Sequence, residues 1–319
     1  MSKKPKVGMW SGLTAVTAVL TAGAIVGTTV AFHYTTTVNN YLDADTYKII
    51  RGDSDEDTEY FKSDFTSDEE RESYEAELCA QVEAEGAALL KNYNNALPLA
   101  SGAKVSLFGH GSVDLMYGGT GSGSVDTSKA PNFKQALEDQ GIQVNSTLWD
   151  LYSSDDMMKN YSRITPAAIS DTLEANTQYA VNEAPWGKLS SAESSFADYG
   201  DAAIVVFSRS GGEGADLPSG ENGTNDSWIK GQEGDGNYLA LSAEEKELLQ
   251  NLKPLKDNGT FKKIIVLINS SNAIEMDFLN PEICGEDYGI DSAMWIGDVG
   301  QTGINGVAQL LAGEATPSG

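Results

Sequence analysis

The chain has 319 residues, 40% of them hydrophobic, enough to bury one large core or two small ones, which excludes a disordered protein. Its 47 acidic against 21 basic residues give a formal net charge of -26, so a nucleic-acid partner would be repelled over most of the surface. Cys79 and Cys284 form no C-x-x-C pair and only His33 and His110 could join them, so neither a disulfide framework nor a metal cluster is expected.

Lys3, Lys4 and Lys6 precede an uncharged run from Val7 to Phe32. As a helix, those residues would extend about 39 Å at ~1.5 Å per residue, enough to cross a bilayer core with tilt. The basic flank is expected to stay cytoplasmic, which places the remainder outside the membrane. Ala22-Gly23-Ala24 also has the small-x-small form of a signal-peptidase site, so residues 1–34 read as either a retained signal-anchor or a cleaved signal peptide. The apolar run continues past that site through Ile25, Val26 and Phe32, which favours the anchor. A membrane-anchored, extracytoplasmic protein is expected, or a secreted one if the signal is cleaved. Residues 35–70 are dense in Asp and Glu, including Asp53, Asp55, Glu56, Asp57 and Glu59, and read as a self-repelling acidic linker.

From residue 71 onward helix and strand signals alternate, which predicts an α/β domain over 71–319. Helical spacing is read over Glu72–Lys91. Val105–Phe108, Ile142–Val144, Ala202–Phe207, Ile264–Ile268 and Ala293–Ile296 are short apolar runs that read as buried strands. Between them, Asn132–Gln140 reads as a helix stopped by Gly141. Ser242 with Glu245 predicts a capping box opening a helix that Pro254 bends or ends, and a last helix is expected from Thr302 to Leu311.

In a parallel sheet the loops after the strand ends carry ligands, and three have unusual composition: Gly109–Val125, Arg209–Asn237 and Asn269–Asn272. The first, with Gly118-Gly119-Thr120-Gly121-Ser122-Gly123-Ser124, lacks the lysine of a P-loop and the spacing of a dinucleotide fingerprint. It reads either as a flexible turn or as backbone lying close to a polar ligand, which glycine permits by lacking a Cβ. A Ser-His-Asp triad would have to use His110, and no G-x-S-x-G elbow is present. The second loop holds Glu213 between glycines, where a carboxyl group could protonate a leaving oxygen; in so acidic a chain it reads equally as a solvated glutamate. Trp228 and Tyr238 could stack on a sugar face or simply pack in the loop, and Asn269, Ser270 and Asn272 could bind hydroxyls or cap a turn.

Gly86-Ala87-Ala88-Leu89-Leu90-Lys91-Asn92 with Ala96-Leu97-Pro98-Leu99, then Ser208-Arg209-Ser210-Gly211-Gly212-Glu213-Gly214-Ala215-Asp216, resembles the second domain of family 3 glycoside hydrolases. Val266–Asn272, Gly300-Gln301-Thr302-Gly303 and Pro317-Ser318-Gly319 are similar to its later blocks, in the same order. The resemblance implies a mostly parallel six-stranded sheet sandwiched by helices and packed on a TIM barrel, with a β-linked glycoside bound between them and no cofactor. It implies general acid/base catalysis by Glu213 in a retaining β-glucosidase or β-xylosidase, with Asp216 on the acidic position that follows. Arg209, Ser122, Gly123, Trp228 and Asn269 join Asp216 as the residues expected near the substrate. Two features depart from the family: Leu217-Pro218 stands where many relatives have Arg, and the Ser-Asp-Trp type motif of the barrel nucleophile is absent, Asn225-Asp226-Ser227-Trp228 matching it only superficially. A barrel supplied downstream of Gly319 or in trans, and a fragment or truncated product that is inactive alone, are therefore expected. The competing expectation is a non-catalytic carbohydrate-binding or partner-docking module.

Overall fold

A computed structural model describes residues 7–42, 60–119, 121–164, 179–212 and 237–319. The chain divides into two compact units, Met1–Asp64 and Phe65–Gly319. In the first, α1 (Val7–His33) and α2 (Thr35–Tyr41) follow one another. Trp10–His33 is the one stretch among the described residues long and apolar enough to cross a membrane, with a mean hydropathy of 1.8. Four of its hydroxyls suit that setting, because Thr14, Thr17, Thr28 and Thr29 each donate to the carbonyl four residues back.

The second unit opens with α3 (Asp68–Gly86), capped by the Ser67 hydroxyl on the Glu70 N–H. Asp68, Glu69 and Glu70, expected at the end of the linker, form its acidic first turn, where the helix dipole favours them. The helix read over Glu72–Lys91 stops at Gly86, and Ala88–Asn92 is a strand, β1. Periodicity failed there because Leu89 and Leu90 fit either period, and only pairing with a distant strand decides between them.

The remaining elements are β2 (Lys104–Phe108), α4 (Phe133–Asp139), β3 (Gln143–Val144), α5 (Ser146–Tyr152), α6 (Asp155–Tyr161), β4 (Ala202–Ser208), α7 (Ala243–Asp257), β5 (Ile264–Asn269), α8 (Pro281–Cys284), β6 (Ser292–Trp295) and α9 (Ile304–Ala312). The predicted capping box is present, with the Ser242 hydroxyl accepting from the Glu245 N–H and the Glu245 carboxylate from the Ser242 N–H. Pro254 does not end the helix, since α7 runs on to Asp257.

The six strands form one sheet in the order β1-β6-β5-β4-β2-β3. It is mixed, because β1 runs antiparallel to β6 while every other pair is parallel. Alternate side chains of the central strands enter two cores. Val105, Leu107, Ile204, Val206, Ile265 and Leu267 pack under α4 and α9. Phe108, Ala203, Val205, Phe207, Val266 and Ile268 pack under α5, α6 and α7. A sheet buried on both faces explains why these strands read as continuous apolar runs.

Candidate functional site

The carboxyl ends of β2, β4, β5 and β6 lie side by side and release the loops singled out above. The turn after β2 begins at Gly109, whose φ of +82° favours glycine and whose position would press a Cβ to 2.7 Å from the Val206 carbonyl oxygen. That loop is bolted to its neighbours by backbone and amide bonds. Asn269, at the end of β5, accepts the Met116 N–H at 2.6 Å and donates to the carbonyls of Met116 and Gly297 at 3.0 and 2.7 Å. Val299 and Gly300 N–H groups donate to the Met116 and Tyr117 carbonyls, so the loops after β2, β5 and β6 form one hydrogen-bonded platform.

Arg209 begins the loop after β4 and is fully buried. All five of its N–H donors are used: Nε donates to the Tyr238 carbonyl, Nη1 to Ser208 and Glu245, and Nη2 to Ala240 and Glu245, with both carboxylate contacts at 2.7 Å. Burial opposes its charge, and the Glu245 carboxylate overcomes this and raises the guanidinium pKa. The Tyr238 hydroxyl accepts the Ser210 N–H and donates to the Ser210 carbonyl. Burial, against the pull of Arg209, pushes that phenol up to about 12. Residues 208–210 and 237–240, the two ends of the segment carrying Glu213, are thereby clasped together.

Glu213, Asp216 and Trp228 lie outside the described residues. Arg209 and Asn269, expected near substrate, are buried and bonded throughout to the protein's own groups, so any effect they have on a ligand passes through the loops they hold. Ser122 and Gly123 sit exposed in a short turn, Gly121–Gly123, of the glycine-rich loop. Tyr238 is buried and packs on Tyr179 with ring centroids 5.4 Å apart, so loop packing, and not an open stacking face, describes it. Several glycines of the loop answer to close packing within the chain. A Cβ on Gly118 would meet Val125 at 2.6 Å, and one on Gly119 would meet the Gly211 carbonyl oxygen at 3.3 Å. The glycine-rich loop thus rests directly on the start of the β4 loop, two residues before Glu213.

Three polar clusters at this end of the sheet escape a reading by motif. His110 is buried, and its Nδ1 and backbone N–H both contact Glu183 Oε2 at 2.9 Å while Nε2 has no partner. Arg163, two residues past α6, donates from Nη1 to the Asp114 carbonyl and the Ser208 hydroxyl, and from Nη2 to Asp114 Oδ1 at 3.1 Å. Glu83 on α3 faces Asp298 after β6; burial and then that neighbouring carboxylate push the Glu83 pKa up to about 8. Asp298 is itself raised by burial, against the hydrogen bonds of Ser271 and the charge of Arg163.

The profile described as "Glycosyl hydrolase family 3 C-terminal domain" matches residues 87–319. A β-glucosidase of Ruminococcus albus is 30% identical over 246 residues, covering 76% of this chain and 22% of that protein. β-Glucosidase A of Butyrivibrio fibrisolvens is 29% identical over 260 residues, again 76% of this chain, and 28% of its own length. Among solved structures, a β-glucosidase from Paenibacillus barengoltzii superposes with a TM-score of 0.55 at 27% identity, covering 76% of this chain and 23% of that one. β-Glucosidase 3B from Thermotoga neapolitana in complex with α-D-glucose gives 0.55 at 25% identity over 77% of this chain and 30% of that one. The chain therefore spans less than a third of the length of these relatives.

Proposed function

Because the chain belongs to glycosyl hydrolase family 3, through that family's C-terminal domain, we propose that it is the sandwich half of an exported retaining β-glycosidase of the β-glucosidase or β-xylosidase type. In this reading Glu213 is the general acid/base, Asp216, Ser122, Gly123 and Trp228 lie near the sugar, Arg209 and Asn269 set the loops, and a barrel domain supplies the nucleophile. The observation that carries it is the clasp of Arg209, Glu245 and Tyr238, which holds both ends of the Glu213 segment against the glycine-rich loop. A proton donor must be held within hydrogen-bond reach of the leaving oxygen, and a segment anchored at both ends meets that need better than a free loop. The apolar α1 supports an exported, membrane-held protein.

By itself the chain supplies one carboxyl group of the pair that glycoside cleavage needs, so it hydrolyses no aryl glucoside alone. Mixed with the barrel domain of a family 3 relative, it should release nitrophenol, and Glu213→Gln should lower that rate by about 10²–10⁴-fold. A dinitrophenyl glucoside, whose leaving group needs little protonation, should lose far less in its first step. Equal losses on both substrates would remove Glu213 from the acid role. Sugar binding without any reconstituted turnover would favour a carbohydrate-binding module.

A further inference from the structure

We propose that the cleft beside the glycine-rich loop binds a neutral pyranoside ring and rejects sugar acids, through Asp114 and Arg163. The choice of a sugar rests on the glycosidase reading above; the selectivity rests on the geometry of this pair. The cleft encloses about 470 Å³, within the ~300–1,000 Å³ usual for small-ligand sites, and is walled by residues 113–119, Ser124, Val125, Thr127 and Arg163. Val113 and Val125 provide apolar surface for the C–H face of a ring, while Asp114 and Tyr117 present oxygen atoms.

The Asp114 carboxylate is only partly used. Oδ1 takes the Arg163 Nη2 hydrogen, and Oδ2 has no partner among the described residues, with the side chain 26% exposed. Tyr117 donates its hydroxyl proton to the Pro131 carbonyl at 3.0 Å, which leaves its oxygen able to accept. Two acceptor residues lining one cleft suit hydroxyl donors of a sugar.

Arg163 looks at first like an anion receptor, since its side chain is 8% exposed and its Nε has no partner among the described residues. Its other hydrogens are occupied, however, by the carbonyls of Asp114 and Leu115, the Ser208 hydroxyl and Asp114 Oδ1, and its charge is balanced by Asp114. Nε itself is sealed from solvent. A carboxylate or phosphate entering the cleft would meet the open Asp114 oxygen without a free cation among the described lining residues, in a chain of net charge -26. A neutral ring meets no such penalty.

The test is binding, measured calorimetrically on the full chain in a sugar-free detergent, with methyl β-D-glucoside and methyl β-D-glucuronide as probes. The glucoside should bind and the glucuronide should bind at least about tenfold more weakly. Asp114→Asn removes the balancing charge, so it should weaken glucoside binding about tenfold while glucuronide affinity rises. Thr127→Trp, at an exposed rim position, should block the glucoside with the unfolding temperature unchanged. The proposal fails if the wild-type chain binds no glucoside, if it binds both probes equally, or if neither variant alters affinity. Hydrolysis plays no part in this readout, so an inactive Glu213 would leave it standing, and failed binding would leave the acid role of Glu213 to the reconstitution assay.

Discussion

Replacing Arg209 by Met should be among the most damaging single changes in the domain, for a reason that can be worked from its contacts. The substitution keeps most of the side-chain volume, so the loss is electrostatic and not a cavity. It strips the Glu245 carboxylate of both guanidinium bonds and leaves the buried carbonyls of Ser208, Tyr238 and Ala240 without that donor. Removing one partner of a buried ion pair costs about 3–5 kcal/mol, because the surviving charge remains in a poorly solvating site. For a domain of this size that corresponds to a fall of roughly 6–20 °C in Tm, at ~2–4 °C per kcal/mol. Glu245→Gln should cost a similar amount, about 3–5 kcal/mol, since it leaves the buried Arg209 cation without its counter-charge. Urea unfolding followed by tryptophan fluorescence would measure both, and the double variant Arg209→Met with Glu245→Gln closes the cycle. The two changes should be coupled by at least about 1.5 kcal/mol, because the second removes the charge the first orphaned. Losses that simply add, or an Arg209→Met loss below about 1 kcal/mol, would refute the clasp.

Two further outcomes follow from the same end of the sheet. Glu83 has an ordinary pKa of 4.5 and a folded value of about 8, so between those pH values the native state holds a proton that the unfolded chain has released. The contribution is complete below pH 4.5, falls as pH rises through the window and levels off above 8, amounting to about 2–4 kcal/mol after allowance for partial exposure. Comparing urea midpoints at pH 5.5 and 8.5, Glu83→Gln should remove most of the decline; an unchanged pH slope would show that Asp298 or another group causes it. Gly211→Ala should destabilise, because the new Cβ would collide with the Asn272 amide. Adding Asn272→Ala should recover most of that loss, since the Asn272 Nδ2 has no partner to lose among the described residues, and a double variant as unstable as the single would place the strain elsewhere.

The sheet was legible in the sequence wherever burial on both faces made a strand uniformly apolar, as in Ala202–Ser208 and Ile264–Asn269. Capping chemistry was equally readable, because Ser242 and Glu245 act on each other within one turn. Where two periods fit the same residues, local reasoning could not choose. Leu89 and Leu90 became a strand through pairing with Met294 and its neighbours, some two hundred positions away, and that pairing also made the sheet mixed.

The polar site obeys the same distinction between local and distant causes. Glycines and short motifs marked the right loops, but they left open which side chains face a ligand and which hold the loops. Arg209 and Asn269 stand in conspicuous motifs and are nevertheless buried braces. Conversely, Asp114 and Arg163 carry no motif and meet across 49 positions, and His110 finds Glu183 across 73. A buried charge must be bonded, so the polar residues most visible next to a strand end tend to be those already claimed by backbone carbonyls and carboxylates. The groups left for a ligand are the partly satisfied ones at the rim, such as Asp114 Oδ2. On that argument, substitutions at Arg209 and Asn269 should lower stability and ligand affinity together. Asp114→Asn should instead change affinity and sugar preference while shifting stability far less, because its carboxylate is partly exposed and, among the described residues, only one of its oxygens is bonded.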